Sequence, residues 1–279
     1  LSFVILNLFQ DSRRRRFVIL KQVQDDGTGY HRYLQPMPAT PAWPPKSTPR
    51  LFVEQELAEG SEVHVVGNAA HYLLGVMRLK EGAPVKLFDD RSGEYLSTVS
   101  SAGKRDLVLT VEAKLRDREN VPDIWLVQAL IKKDRFDWIG EKACELGVAR
   151  FVPLLTARCV VDKVKEDRLR AHMVEAAEQC ERTALPDVAP LAKLDMLLKY
   201  WPEDRILYFC DERGGDRFSP VTGPAAILIG PEGGFTDEEN AAIRAHPSAK
   251  AVSLGPRILR ADTAAVTALS VWMAQVGDW

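Results

Sequence analysis

Polar and apolar residues alternate over residues 62–66, whereas Ala225–Ile229 is an unbroken apolar run, and the two patterns predict different strands. The first has one face toward a core and one toward water; the second is buried in a sheet covered on both sides. Short strands are also expected at residues 85–88, 95–99 and 107–111, with a turn at Asp90-Arg-Ser-Gly93. Such strands, punctuated by turns over residues 50–118, predict a small barrel. Within it, residues 71–80 read as a short helix whose apolar face carries Leu73, Val76, Met77 and Leu79, leaving Arg78 and Lys80 outward, either in water or on a nucleic acid. After residue 119 the grammar changes to strands alternating with helices, which places residues 119–279 in the α/β class. Strands are expected at 124–131, 151–155 and 206–210. The helix after the first of them should start on Asp134, bury Phe136, Ile139, Ala143 and Leu146, and stop at Gly147. A longer helix over 166–182 repeats Leu169, Met173, Ala176, Cys180 and Ala184 on one face, with Cys180 read as core.

The candidate chemistry lies near the C-terminus. The strand Ala225–Ile229 runs straight into Gly230, Gly233 and Gly234, then into Thr236 with Glu239 three residues later. That is a strand, a glycine loop and a helix opened by a capping box, ending near Pro247. Glycine lets backbone groups approach a ligand closely, and a loop at the C-terminal end of a buried strand is where open α/β sheets bind small molecules. No phosphate-binding glycine pattern is present, and Glu232 with Asp237, Glu238 and Glu239 would repel a polyphosphate. A ligand with a positive centre and an adenine fits better; a tight turn without a ligand is the alternative. The grammar then repeats, with a strand at 251–254, the turn Gly255-Pro256, and Arg257 and Arg260 flanking Ile258-Leu259. Asp262 or Thr263 is expected to cap a final helix over 263–275. That helix is apolar on nearly every face, so a second subunit is the expected cover. Lys132 and Lys133 stand beside the start of an earlier helix, where they oppose its dipole; they either extend into water or attract a phosphate.

Composition adds exclusions. With 46% hydrophobic and 27% charged residues the chain is an ordinary globular protein, and a net charge of -2 means any nucleic-acid contact must be local. The four cysteines, Cys144, Cys159, Cys180 and Cys210, are too far apart for a metal site, and free thiols in a reducing cytoplasm are expected. No apolar run reaches the roughly 18 residues of a membrane span. Residues 1–36 read as a non-native or disordered extension, because the apolar start precedes Arg13 to Arg16, the reverse of a secretion signal, with a basic RNA-binding arm as the alternative. Residues 37–49 read as a proline-rich linker.

Leu228-Ile-Gly-Pro-Glu-Gly-Gly234 followed by Leu254-Gly-Pro-Arg-Ile-Leu-Arg260 resembles the SPOUT methyltransferases with a C-terminal trefoil knot. Within them it is similar to the RsmE family, bacterial methyltransferases of uracil N3 in small-subunit ribosomal RNA. His71 to Tyr95 resembles that family's PUA-like RNA-binding domain, so the likeness covers nearly everything after residue 48. The resemblance implies S-adenosylmethionine, held by Leu207, Ile229, Gly230, Glu232, Gly233, Leu254, Gly255, Ile258 and Leu259; a homodimer; and small-subunit ribosomal RNA, free or assembled, as partner. It implies RNA contacts at Arg78, Lys80, Lys132 and Lys133. Glu178-Gln-Cys-Glu-Arg182 resembles an element near the target base, so Arg182, Arg260 and Glu232 are the catalytic candidates. The arginines would stabilise charge on the base oxygens, and Glu232 is the nearest motif carboxylate. Where the family has Arg-Thr-Glu-Thr-Thr-Ala, this chain has Arg260-Ala-Asp-Thr-Ala-Ala265, which puts a catalytic role for Asp262 in doubt. A ribose hydroxyl as the acceptor, or RNA binding without catalysis, are the rival readings.

Overall fold

A computed structural model describes residues 48–279. The expectations for residues 1–36, and for the linker as far as residue 47, lie outside the described residues. The first sheet takes strands β1 (Arg50–Phe52), β2 (Glu62–Val66), β3 (Pro84–Phe88), β4 (Glu94–Ala102) and β5 (Asp106–Arg116) in the order β1-β3-β4-β5-β2. Its pairs are antiparallel except β1 with β3, and among the described residues no pairing of β1 with β2 closes the sheet, so the expected barrel is an unclosed one. Its core is built from Val63 and Val65 of β2, Val85 and Leu87 of β3, and Leu107, Leu109 and Val111 of β5, the positions that alternation selects.

The segment after β2 departs from expectation. A short helix α1 (Gly67–His71) passes into a π-turn over Tyr72–Val76, closed by Met77 N–H donating to the Tyr72 carbonyl at 2.9 Å. The wider turn rotates the following side chains. Leu73 is buried and Leu79 half-buried, but Val76 is 63% exposed and Met77 36%.

The second sheet is parallel throughout. Strands β6 (Ile124–Ala129), β7 (Arg150–Leu155), β8 (Asp187–Val188), β9 (Ala192–Lys193), β10 (Ile206–Cys210), β11 (Asp216–Arg217), β12 (Ala225–Ile229) and β13 (Ala249–Ser253) run β11-β13-β10-β12-β6-β7-β8, with β9 also on β7. Helices α2 (Lys133–Glu145), α3 (Glu166–Cys180), α4 (Leu194–Lys199), α5 (Asp237–Ala245) and α6 (Ala261–Val276) cover it. All five residues of β12 are buried, and they alternate between two cores. Ala225, Ile227 and Ile229 pack with α2, α3 and α6, whereas Ala226 and Leu228 pack with α4 and α5 residues. An apolar run without alternation is what a sheet covered on both faces requires.

Three local expectations are corrected. Helix α2 starts at Lys133 with Lys132 as its N-cap and no side-chain cap; Asp134 sits inside the first turn instead. Helix α6 likewise begins at Ala261 with Arg260 as its N-cap, where Asp262 or Thr263 was expected to cap it. Cys180, the last residue of α3, is exposed, because Glu181 turns into the left-handed region at φ 61° and ends the buried face. No helix among the described residues is long and apolar enough to cross a membrane.

Candidate active site

Strands β10, β12 and β13 are neighbours, and β6 lies beside β12, so their C-terminal ends open on one edge of the sheet. There the chain forms a cleft of about 490 Å³. Ile229 and the loop Gly230 to Phe235 supply one wall, Phe209 to Glu212 a second, and Leu259 to Ala261 with Ala264 a third; Lys132, Arg135 and Val160 stand at its rim. A smaller cleft of about 240 Å³ continues from it along Leu254 to Leu259, sharing Cys210, Asp211 and Glu212. This is where open α/β sheets hold ligands, and the two glycine loops meet here.

The local geometry follows from the sequence. A Cβ on Gly230 would lie 2.8 Å from the Phe235 ring, which packs under the loop against Phe209 with ring centroids 5.3 Å apart. The turn closes as Gly234 N–H donates to the Pro231 carbonyl at 2.9 Å, with Gly234 at φ +66°. Thr236 and Glu239 form the expected capping box, at 3.1 Å from Glu239 N–H to Thr236 Oγ1 and 2.9 Å for the return bond. In the second loop Gly255 takes φ +124°, a conformation that other residues rarely adopt.

The charges in and around the cleft divide into held and free. Asp211 accepts from Arg244 Nη2 at 2.5 Å and Nε at 2.9 Å and from Arg213 N–H at 2.8 Å. Asp262 pairs with Arg135 at 3.3 Å. Glu239 is taken by the capping box and by Ala157 N–H at 2.7 Å. Glu212 and Glu232, both exposed, form no ion pair among the described residues, and neither do Lys132 and Arg260. Burial pushes the Cys210 thiol up to about 12, which keeps it protonated and makes it a poor nucleophile.

Ile229, Gly230, Glu232, Leu254, Gly255, Ile258, Leu259 and Arg260 therefore come together, as the loops predicted. Three expected residues do not. Leu207 is fully buried in the core two residues before Phe209, and it is the end of β10 that reaches the cleft. Gly233 turns outward: its φ is ordinary, an added Cβ would meet the Arg158 Cβ at 3.3 Å, and its carbonyl accepts from Arg158 Nη1 at 2.9 Å. Arg182 is only 5% exposed and lies outside the cleft, donating from Nη1 to the Cys144 carbonyl at 2.6 Å and from Nη2 to the Val148 carbonyl at 2.7 Å. A guanidinium spent on backbone carbonyls is not available to a substrate base.

Lys132 and Lys133 also separate. Lys132 lines the cleft, whereas Lys133, exposed in the first turn of α2, does not. Phe209, Cys210, Glu212 and Arg135 line the cleft without having been foreseen, since their place depends on which strands become neighbours. Arg78 and Lys80 are both exposed on the barrel, Arg78 at φ 54°, and line no part of the cleft. Among the described residues no group of three or more His, Cys, Asp or Glu could hold a metal.

Residues 118–273 match the RNA methyltransferase domain family, and residues 67–112 match the RNA methyltransferase PUA domain. Ribosomal RNA small subunit methyltransferase E of Rickettsia conorii is 30% identical over 79% of this chain and 93% of its own length. The Synechocystis protein of the same name is 33% identical over 79% and 76%. Among solved structures, a putative methyltransferase of Legionella pneumophila in complex with bound cofactor SAM is 32% identical, with a TM-score of 0.77, covering 83% of this chain and 99% of that one. A ribosomal RNA small subunit methyltransferase E from Neisseria gonorrhoeae bound to S-adenosyl methionine is 27% identical, with a TM-score of 0.76, over 83% and 99%. With an α/β domain whose strand ends frame this cleft, preceded by a PUA-like barrel, the chain belongs to the RNA methyltransferases of the ribosomal RNA small subunit methyltransferase E family.

Proposed function

We propose that this chain methylates N3 of a specific uridine in small-subunit ribosomal RNA, using S-adenosylmethionine, in the cytoplasm and as a homodimer. The observation that carries this reading is the cleft itself. Its apolar side, formed by Phe209, Ile229, Leu259 and Ala264, suits an adenine, its free carboxylates suit a cationic centre, and the unpaired cations Lys132 and Arg260 line it. S-adenosylmethionine supplies an electrophilic methyl group when bound. Backbone around Ile229, Gly230, Leu254, Gly255 and Leu259 would hold it, because the glycines there leave room for close approach.

The uracil N3 proton has to leave. With Asp211, Asp262 and Glu239 each engaged elsewhere, Glu232 and Glu212 are the cleft carboxylates free to accept it. Arg260, the N-cap of α6, is placed to stabilise negative charge on the base oxygens, and positioning supplies much of the remaining acceleration. Lys132 and Lys133 would meet RNA phosphates next to the cleft, while Arg78 and Lys80 would meet them on the barrel.

The test is to incubate the protein with S-adenosylmethionine and small-subunit RNA, both free and assembled, and to separate the nucleosides chromatographically with mass detection. 3-Methyluridine at one position is expected, reduced at least tenfold by Arg260→Ala. 2′-O-methyluridine, or binding of RNA with no methylated product, would overturn the assignment.

A further inference from the structure

The segment from Ala177 to Leu185, where a base-contacting element was expected, packs Ala177 and Leu185 into the core and receives a set of polar contacts from the barrel. Arg50, on β1, is 9% exposed and donates from Nε to Glu94, from Nη1 to the Ala177 carbonyl and from Nη2 to the Arg182 carbonyl at 2.6 Å. Phe52 N–H donates to Glu178 Oε1 at 2.9 Å, and Leu185 N–H donates to Asp90 Oδ1 at 2.7 Å. Arg116 bridges Glu94, at 3.1 Å, to the Glu181 carbonyl. Arg182, held at its carbonyl by Arg50, itself reaches the carbonyls of Cys144 and Val148 at the C-terminal end of α2. The other end of α2, a rod of about 20 Å at about 1.5 Å per residue, begins at the cleft with Lys132 and Arg135.

Two buried arginines linked head to tail are an expensive way to stabilise a protein, since their desolvation is repaid only by geometry that satisfies their donors. What the forks do provide is direction, because a planar guanidinium accepts only one arrangement of its partners. Phe88, with Phe52 beside it, adds apolar contact to the joint, but such contact is not directional, and domains of one chain otherwise move relative to one another.

We propose that Arg50 and Arg182 are positioning residues that fix the barrel against α2, so that RNA held on the barrel is presented to the cleft at one distance and angle. The proposal rests on the reading of the protein as a ribosomal RNA methyltransferase. Arg50→Lys and Arg182→Lys keep the charge and lose the fork. In both, kcat on small-subunit RNA is expected to fall on the order of 10²-fold, as for an ångström-scale misplacement. KM for RNA and the affinity for S-adenosylmethionine should stay at wild-type values. Small-angle scattering, which needs no activity, should show a larger radius of gyration.

A lower melting temperature with unchanged kcat and unchanged scattering would make the arginines merely structural and overturn the proposal. So would a change confined to KM, which would mean direct contact with RNA. Should the lysine variants not fold, Arg116→Ala, at the half-exposed edge of the joint, carries the test. Its kcat should fall about tenfold, in keeping with a smaller misplacement, and an unchanged kcat would overturn the proposal. A wild-type protein inactive on RNA, yet with variants that expand in scattering, would sink the functional reading and leave the joint standing.

Discussion

Gly233 and Gly234 look equivalent in the sequence, but only one is constrained by the backbone. Gly234 sits at φ +66°, where an L side chain costs about 1–2 kcal/mol, whereas Gly233 has an ordinary φ. Gly234→Ala is therefore expected to weaken S-adenosylmethionine binding by about tenfold, the equivalent of roughly 1.4 kcal/mol, and Gly233→Ala to leave it nearly unchanged. Titration calorimetry on the two variants decides, and equal losses would show that φ is not what matters. Glu94 offers a second test at this scale. Its burial raises the carboxyl, but hydrogen bonds from Arg116 and Arg50 outweigh that and hold it below the usual range. A depressed carboxyl contributes stability above its unfolded value of about 4.3, and that contribution is lost as pH falls through the folded value. Glu94→Gln should cost about 3–5 kcal/mol at pH 7 by leaving buried charge unpaired. It should also flatten the fall in stability on the acid side. Urea midpoints from pH 7 to pH 3 that stay parallel to wild type would refute this.

Helix α2 shows what pattern can and cannot deliver for an element. Its buried residues Phe136, Ile139 and Ala143 were legible from their spacing, because helical periodicity reports which face meets a core. Its start was not, since Lys132 caps it without any side-chain hydrogen bond that Asp134 might have signalled. The π-turn after α1 was hidden for a related reason: one extra residue in the turn changes which side chains face inward, and composition does not reveal it. Strand β1 is three residues long and pairs with a strand more than thirty residues away, so it left no alternation to read. The corrected start of α2 changes an expectation about its lysines. Lys132→Ala should disturb both cofactor and RNA binding, because Lys132 is at the cleft rim. Lys133→Ala should spare the cofactor and flatten the salt dependence of RNA binding by roughly one unit of slope, one phosphate contact. RNA affinity measured against salt, with a parallel cofactor titration, checks this; an unchanged slope would return Lys133 to water.

For the molecule as a whole, the two-faced sheet and the meeting of the glycine loops were readable, because each is announced by consecutive residues. The joint between barrel and sheet was not. Arg50 and Arg182 lie 132 positions apart, and nothing local distinguishes an arginine aimed at a base from one aimed at carbonyls. Assembly is the remaining question at this scale, and α6 bears on it directly. Within one chain α6 buries Ala264, Ala265, Ala268, Leu269, Trp272 and Met273, but Val266, Thr267, Ser270 and Val271 are only half-covered and Ala274 is exposed. A helix with so few charges on its outer side is poorly suited to water, and a matching face on a second copy would cover it in a two-fold arrangement. Light scattering at micromolar concentration is therefore expected to give about twice the 31.1 kDa of the chain. Val266→Glu with Ala274→Glu should halve that mass, since two carboxylates per protomer would face their own copies across the contact. A monomeric wild type would sink the assignment outright, and a dimeric double variant would move the contact away from α6.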